Sequence, residues 1–247
     1  MVLLRNAWWV TQKTLTHPTV DLKSQPTICP KKTMTETPRV LWYFADPMCS
    51  WCWGFAPVVS AIMDAYQDRL QLALMMGGLR PGTTQPMPAK QRAEILHHWE
   101  EVHRRSGQPF KFEGALPDGF VYDTEPACRA VVTLLDLNGA AGFPYFKSIQ
   151  AAFYAEEQDV TQPHVLATLA ERQGVTPERF LERFASREIT QQTQTHFRQT
   201  AEIGIRGFPT VILRHGERFE LLTHGYRPLA ELTPMVEQWL SSDATSD

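Results

Sequence analysis

Two cysteines separated by two residues, in Asp46-Pro47-Met48-Cys49-Ser50-Trp51-Cys52, stand where the hydrophobic period of the chain changes. Before them runs Val40-Leu41-Trp42-Tyr43-Phe44-Ala45, whose nearly continuous aromatic and β-branched character fits a strand buried on both faces. After them Phe55, Val58, Val59, Ile62, Met63 and Tyr66 fall at helical spacing. Asp46-Pro47 breaks the strand, so a helix is expected to begin at Cys49 or Ser50. Pro57 lies inside that helix, removes one backbone donor, and is expected to kink it within its first two turns. Residues 70–76 read as a second buried strand, stopped by Gly77-Gly78. Strand, helix and strand in so short a span make a right-handed βαβ unit with parallel strands.

A cysteine at the start of such a helix has a definite chemistry. The N–H groups of the first turn lack partners, and the positive end of the helix favours a thiolate over a thiol. A thiol pKa near ~8.5 falls to between ~3.5 and ~7.5 in such settings. Cys49 is therefore the expected nucleophile and leaving group, and Cys52, one turn deeper, the expected resolving thiol. The competing reading of C-x-x-C is half a structural zinc site, which needs two further Cys or His ligands. The chain holds no second C-x-x-C and no C-x-x-H, and the strand–helix setting favours redox chemistry.

At 247 residues, 43% apolar and 21% charged, the chain suits one large domain or a domain carrying an insertion. A net charge of -3 supplies no bulk basic field, so neither nucleic acid nor a membrane surface is an expected partner. With 4 cysteines the chain is too poor for a disulfide-built scaffold and points to a reducing compartment. Cys128 reads as a small buried hydrophobe, and Cys29, in a polar stretch, as an exposed thiol. No apolar run approaches the roughly 20 residues of a membrane span. Residues 1–38, rich in Thr, Pro and Lys, read as a disordered leader. Initiation at Met34 would leave residues 1–33 untranslated; a basic organelle-targeting leader is the alternative.

Helical periods then dominate, over residues 89–105, 124–138, 143–157, 161–173, 177–185 and 186–203. Thr124 and Thr176 stand as caps, each followed by proline in the first turn. The β pattern returns at 210–214 and 219–223, a hairpin turning at His215-Gly216, and a last helix covers 229–240. Gly207-Phe208-Pro209-Thr210 places a proline at a strand entrance. It is a candidate for a cis bond, which about 5–6% of X–Pro bonds adopt; a trans edge proline is the alternative.

Taken together, the segment 46–52, the helical block and Gly204-Ile205-Arg206-Gly207-Phe208-Pro209-Thr210 resemble the DsbA-like thioredoxin-fold oxidoreductases. Within them the chain is most similar to the bacterial branch described as predicted protein-disulfide isomerases, related to the FrnE-like proteins. The resemblance covers residues 39–240. It implies an α/β, thioredoxin-like domain over 39–86 and 205–241, with an inserted all-helical domain over 87–204. It implies Cys49 as attacking thiol, Cys52 as resolving thiol, Pro209 as the cis-proline facing them, and Phe208 offering its backbone to a bound peptide. Arg80, in Gly77-Gly78-Leu79-Arg80-Pro81-Gly82, would line the same cleft. Apart from the resemblance, the aromatics beside the cysteines offer two readings, an apolar docking surface for unfolded peptide or core packing; core is favoured for Trp53 and Phe55, and Trp51 stands open between the two.

The implied protein binds no cofactor and no metal. Its own Cys49–Cys52 disulfide is recycled by glutathione or thioredoxin, its partners are protein or peptide thiols and disulfides, and its place is the cytoplasm. Two departures matter. Ser50-Trp51 replaces the Pro-His of the strongly oxidising periplasmic members, so a less oxidising pair is expected. Many relatives also bury an acid six residues before the first cysteine, used for proton transfer; here that residue is Tyr43, the nearer Asp46 reads equally as a relay or as a helix cap, and the relay is left unassigned. Glu94, His97, His98, Glu101 and His103 cluster on one predicted helix, where Glu94/His98 and His97/Glu101 read as i,i+4 pairs on a solvated face. The expected activity is thiol–disulfide exchange or disulfide isomerisation through a mixed disulfide. The alternatives are a DsbA-like redox-sensing adaptor and a glutathione-dependent kappa-type isomerase or transferase, whose usual catalytic serine is replaced here by cysteine.

Overall fold

The computed structural model describes residues 37–242. Residues 1–36 of the expected leader, with Cys29 and Met34, and the end of the expected acidic tail lie outside them.

Four strands form one mixed sheet: β1 (Arg39–Ala45), β2 (Gln71–Met76), β3 (Thr210–His215) and β4 (Arg218–His224), in the order β2-β1-β3-β4. β1 and β2 are parallel, Val40 opposite Gln71 and Ala45 opposite Met76. β3 runs antiparallel to β1, with Tyr43 opposite Val211, and β4 antiparallel to β3. β1 sits at the centre because its residues are apolar on both faces; Tyr43 and Phe44, which point opposite ways, are both wholly buried. α1 (Ser50–Tyr66) makes the crossover between the parallel strands and runs unbroken through Pro57.

Six α-helices lie between β2 and β3: α2 (Ala89–Ser106), α3 (Glu125–Leu137), α4 (Gly142–Tyr154), α5 (Pro163–Glu171), α6 (Pro177–Phe184) and α7 (Arg187–Glu202). α8 (Leu229–Ser242) follows β4. Local chemistry sets their ends. The Thr176 hydroxyl accepts the Arg179 N–H at 3.4 Å, and the Ser186 hydroxyl accepts the Ile189 N–H at 3.3 Å. α4 stops at Tyr154, short of the expected residue 157. The Lys111 N–H takes the Tyr154 carbonyl at 2.8 Å, and Glu157 leaves helical space at φ 54°. Thr124 precedes α3 as expected, but its hydroxyl does not cap the helix; it accepts the Arg80 N–H at 3.0 Å and so docks the loop after β2.

These helices share one continuous apolar core with the sheet. It runs from Leu41, Tyr43 and Val211 through Phe55 and Ile62 to Trp99, Tyr145, Phe146 and Phe180. Phe146 and Phe180 have no solvent exposure, and removing each from water stabilises the fold by about 1.5–3 kcal/mol. α1 and α2 approach closely at Gly54, where a Cβ would come within 2.8 Å of Val102 Cγ1. That contact brings α2 up against the start of α1, beside the cysteines.

Candidate active site

The turn Asp46-Pro47-Met48, closed by the Cys49 N–H on the Asp46 carbonyl at 3.1 Å, delivers Cys49 to the N-cap of α1. Cys49 is extended (φ -93°, ψ 116°), makes no side-chain cap bond, and is followed by no acidic residue in the first turn. Its thiol, 6% exposed, lies 3.6 Å from the Phe208 carbonyl oxygen, to which it donates. The Phe208–Pro209 peptide is cis. The tip of the Phe208 ring presses on Gly77, where a Cβ would come within 1.9 Å of Phe208 Cζ, so only glycine admits it. The loop is pinned from below: the Thr210 hydroxyl donates to the Gly207 carbonyl at 2.8 Å, His224 Nδ1 bonds that hydroxyl at 2.9 Å, and the Gly225 N–H donates to the Pro209 carbonyl at 2.7 Å.

Cys52 lies one turn into α1 and has no exposure. Burial, then its bond to Cys49, push its thiol well up, opposed by the Asp46 N–H that bonds its sulfur. It therefore waits as a thiol. The hydroxyl of Tyr43, in the strand beneath, donates to the Cys52 carbonyl at 3.5 Å.

Asp46 is not the helix cap. The turn carries its side chain inward, where Oδ1 accepts the Met48 N–H at 2.8 Å and Oδ2 accepts the Leu79 N–H at 2.6 Å and the Cys128 thiol at 3.3 Å. Burial raises its pKa, while bonds from Leu79, Met48, Thr124 and Cys128 pull it down. Cys128 is buried as expected but is more than a small hydrophobe, since it donates to this carboxyl. Burial first and the Asp46 charge second push the Cys128 thiol well up.

The exposed side is built differently. Trp51 is half-buried, packed against Tyr226 with ring centroids 5.8 Å apart, and Arg105 holds its guanidinium 5.3 Å above the Trp51 ring. Trp53 and Phe55 are core, the reading favoured for them: Trp53 stacks on Tyr154 and donates its Nε1–H to the Pro109 carbonyl at 3.0 Å, and Phe55 is wholly buried. Arg80 rests 5.5 Å over the Tyr122 ring, whose hydroxyl donates to the Met48 carbonyl at 2.5 Å. α7 grips the end of β2: His196 Nδ1 accepts the Met76 N–H at 3.2 Å and the Thr200 hydroxyl donates to the Met76 carbonyl at 3.3 Å. Burial lowers the His196 pKa to about 4, keeping the ring a neutral acceptor. On α2 the pairings differ from the expected ones: His97 meets Glu100, Glu101 meets Arg104, and His103 bonds the Gln108 carbonyl. Among the described residues no group of three or more His, Cys, Asp or Glu is gathered to hold a metal, and no helix is long and apolar enough to cross a membrane.

A thiol pair at a helix start, faced by a proline loop at the entrance of an antiparallel strand, on a four-stranded sheet with a helical block after β2, defines a DsbA-like thioredoxin fold. The chain belongs to the DSBA-like thioredoxin domain family, whose model matches residues 40–233. A crystal structure of a proposed protein disulfide isomerase from Nitrosomonas europaea is 46% identical with a TM-score of 0.79, covering 83% of this chain and 98% of that one. The cytosolic disulfide reductase DsbM from Pseudomonas aeruginosa is 27% identical with a TM-score of 0.65, covering 83% and 97%. Among curated proteins, the ClpXP adapter protein SpxH of Halalkalibacterium halodurans is 20% identical over 187 residues, 74% of this chain and 60% of the relative. The chain thus spans about 60% of the length of such curated relatives.

Proposed function

We propose that the chain is a thiol–disulfide oxidoreductase in which Cys49 attacks a substrate disulfide and Cys52 resolves the adduct. The observation that carries this reading is Cys49 at the otherwise uncapped start of α1, bonded to the Phe208 carbonyl, with a wholly buried Cys52 one turn on. Attack forms a Cys49–substrate bond, breaks the substrate S–S bond and releases one substrate thiolate. Cys52, once deprotonated, attacks Cys49 Sγ; the mixed disulfide breaks, the second thiolate leaves, and two electrons have passed from the dithiol to the substrate. The reverse sequence oxidises a dithiol, and isomerisation stops at the mixed disulfide. Phe208 and Pro209 form the edge against which a protein or peptide substrate lies, and glutathione or thioredoxin restores the pair. Ser50-Trp51 between the cysteines sets a less oxidising potential, in keeping with a cytoplasmic place and with the reductase named among the similar structures.

The test is trapping with Cys52→Ala. Mixed disulfides through Cys49 are expected to accumulate under mild oxidation and to vanish in Cys49→Ala/Cys52→Ala; no covalent species on Cys49 overturns the reading. A second reading, a redox-sensing adaptor, draws on the SpxH relatives at 20% and 24% identity. It predicts one stoichiometric partner retained by Cys49→Ser and no disulfide reductase activity.

A further inference from the structure

Three arginines on three separate segments flank the cysteine pair, and none makes a close ion pair among the described residues; the nearest acid to Arg105, Glu101 one turn back, is bound by Arg104 and feels Arg105 only through its charge. Arg105, in the last turn of α2, stands 5.3 Å from the Trp51 ring centroid and 5.6 Å from that of Tyr226. Arg80 lies 5.5 Å over Tyr122, which holds the Met48 carbonyl just before Cys49. Arg206, exposed, stands two residues before Phe208, whose carbonyl meets the Cys49 thiol. Elsewhere both arrangements occur: Arg104, Arg129, Arg183 and Arg227 each lie within ion-pair distance of an acid, whereas Arg69 and Arg214 donate to backbone carbonyls. The acids near the pair are already engaged. Asp46 is buried and bonded to Met48, Leu79 and Cys128, and Asp123 accepts the Gly82 and Glu125 N–H groups.

A guanidinium lying over an aromatic ring is held in orientation by that ring, while its five in-plane N–H donors stay available. Those donors match a carboxylate as a fork, and at the edge of a partly dry cleft the match is charge-assisted. The whole chain carries -3, so this positive rim is local to the site and is no bulk attraction.

We infer that the rim of Arg80, Arg105 and Arg206 selects disulfides that carry carboxylates within a few bonds of the sulfur. This rests on the redox reading above and names its substrate class. With glutathione disulfide as the probe, the reduced pair is converted to the Cys49–Cys52 disulfide and two glutathione molecules leave; their thiols take the two protons of the pair, and the arginines hold the glutathione carboxylates during attack.

The test uses the full chain, reduced and freed of reductant, oxidised in turn by glutathione disulfide, neutral bis(2-hydroxyethyl) disulfide and cationic cystamine. Arg105→Ala and Arg206→Ala are expected to slow oxidation by glutathione disulfide about 5- to 10-fold each and to leave the neutral probe unchanged, which also reports that the variants fold. High salt should erase the difference between probes. A disulfide-linked peptide with Glu beside its cysteine, compared with its Gln counterpart, separates the sources. Discrimination there but not with glutathione assigns the rim to acidic protein segments, and the converse assigns it to small acidic thiols. Equal sensitivity of all probes to the substitutions, or none, overturns the inference while leaving the redox reading intact. Failure of the wild-type chain to react with any disulfide overturns both.

Discussion

The two sides of the cysteine pair obey different physics. On the inner side Asp46, Cys52 and Cys128 have no exposure, and the Asp46 carboxyl is matched by donors from three segments. On the outer side Trp51 and Tyr226 are half-buried under an exposed Arg105 that makes no close ion pair among the described residues. The inner side holds the loop that carries Cys49 in place and is intolerant of change, because a buried group that loses its partner costs its full desolvation. The outer side is held by weak, screened contacts and is free to meet something else. The contrast between Cys128 and Cys49 says the same of thiols. Cys49 stands at the N-cap of α1 and Cys128 in the first turn of α3, yet Cys128 faces a carboxyl in a dry site and Cys49 faces a carbonyl at the edge of the cleft.

Alkylation separates the two sides most widely. At neutral pH iodoacetamide should label Cys49 about 1000-fold or more faster than Cys128 in the folded chain, and denaturant should bring the two rates together. Comparable rates in the native protein would break the contrast.

Acid should act next, at the His196 contact with the end of β2. Because the His196 pKa falls from its ordinary value near 6.5 to about 4, the unfolded chain binds this proton more tightly. Its contribution to stability is full above pH ~6.5 and is lost as pH falls towards 4, a change of about 3 kcal/mol. Asp46, raised by burial, acts with the opposite sign: its contribution is full below the ordinary carboxylate pKa and is lost as pH rises through its folded value. Urea unfolding of His196→Asn, whose side-chain oxygen can take the place of Nδ1, should show a flatter acid limb than wild type; an identical limb would show that His196 carries no such load.

Smaller still is the cost of a near-isosteric change. Asp46→Asn turns an amide donor towards the Met48 or Leu79 N–H and should cost about 1–3 kcal/mol. Arg105→Ala should stay within about 0.5 kcal/mol in the same measurement. A reversed order would mean that the aromatic rim, not the carboxyl, organises the loop.

Much of the fold was legible because it is written in local periods. The run 40–45 reads as a central strand, residues 55–66 as one face of a helix, and Thr176 and Ser186 as helix starts. The C-x-x-C could be placed at its helix start on the same grounds. What could not be read was decided by residues far apart in the chain. Asp46 looks like a cap until Cys128, 82 positions on, arrives beside it. Tyr122 reaches Met48 across 74 positions and His196 reaches Met76 across 120, and neither carries any sign of this in its neighbours. Trp51 was ambiguous between core and surface because its burial depends on Arg105 and Tyr226, supplied by two other elements.

The distance between Cys49 and Phe208 has a consequence for biosynthesis. They are 159 positions apart, and a ribosome adding ~5–20 residues per second needs about 8–30 seconds to cross that gap. β1 also lacks its β3 neighbour throughout. For that interval the nascent chain carries a close dithiol with no carbonyl against it and half a sheet behind it. Cys128 is made midway, after the Asp46 and Leu79 groups it will join but before β3 can complete the sheet. Birth is therefore the period in which this chain is most open to capture by a disulfide, including one held by a finished copy of itself.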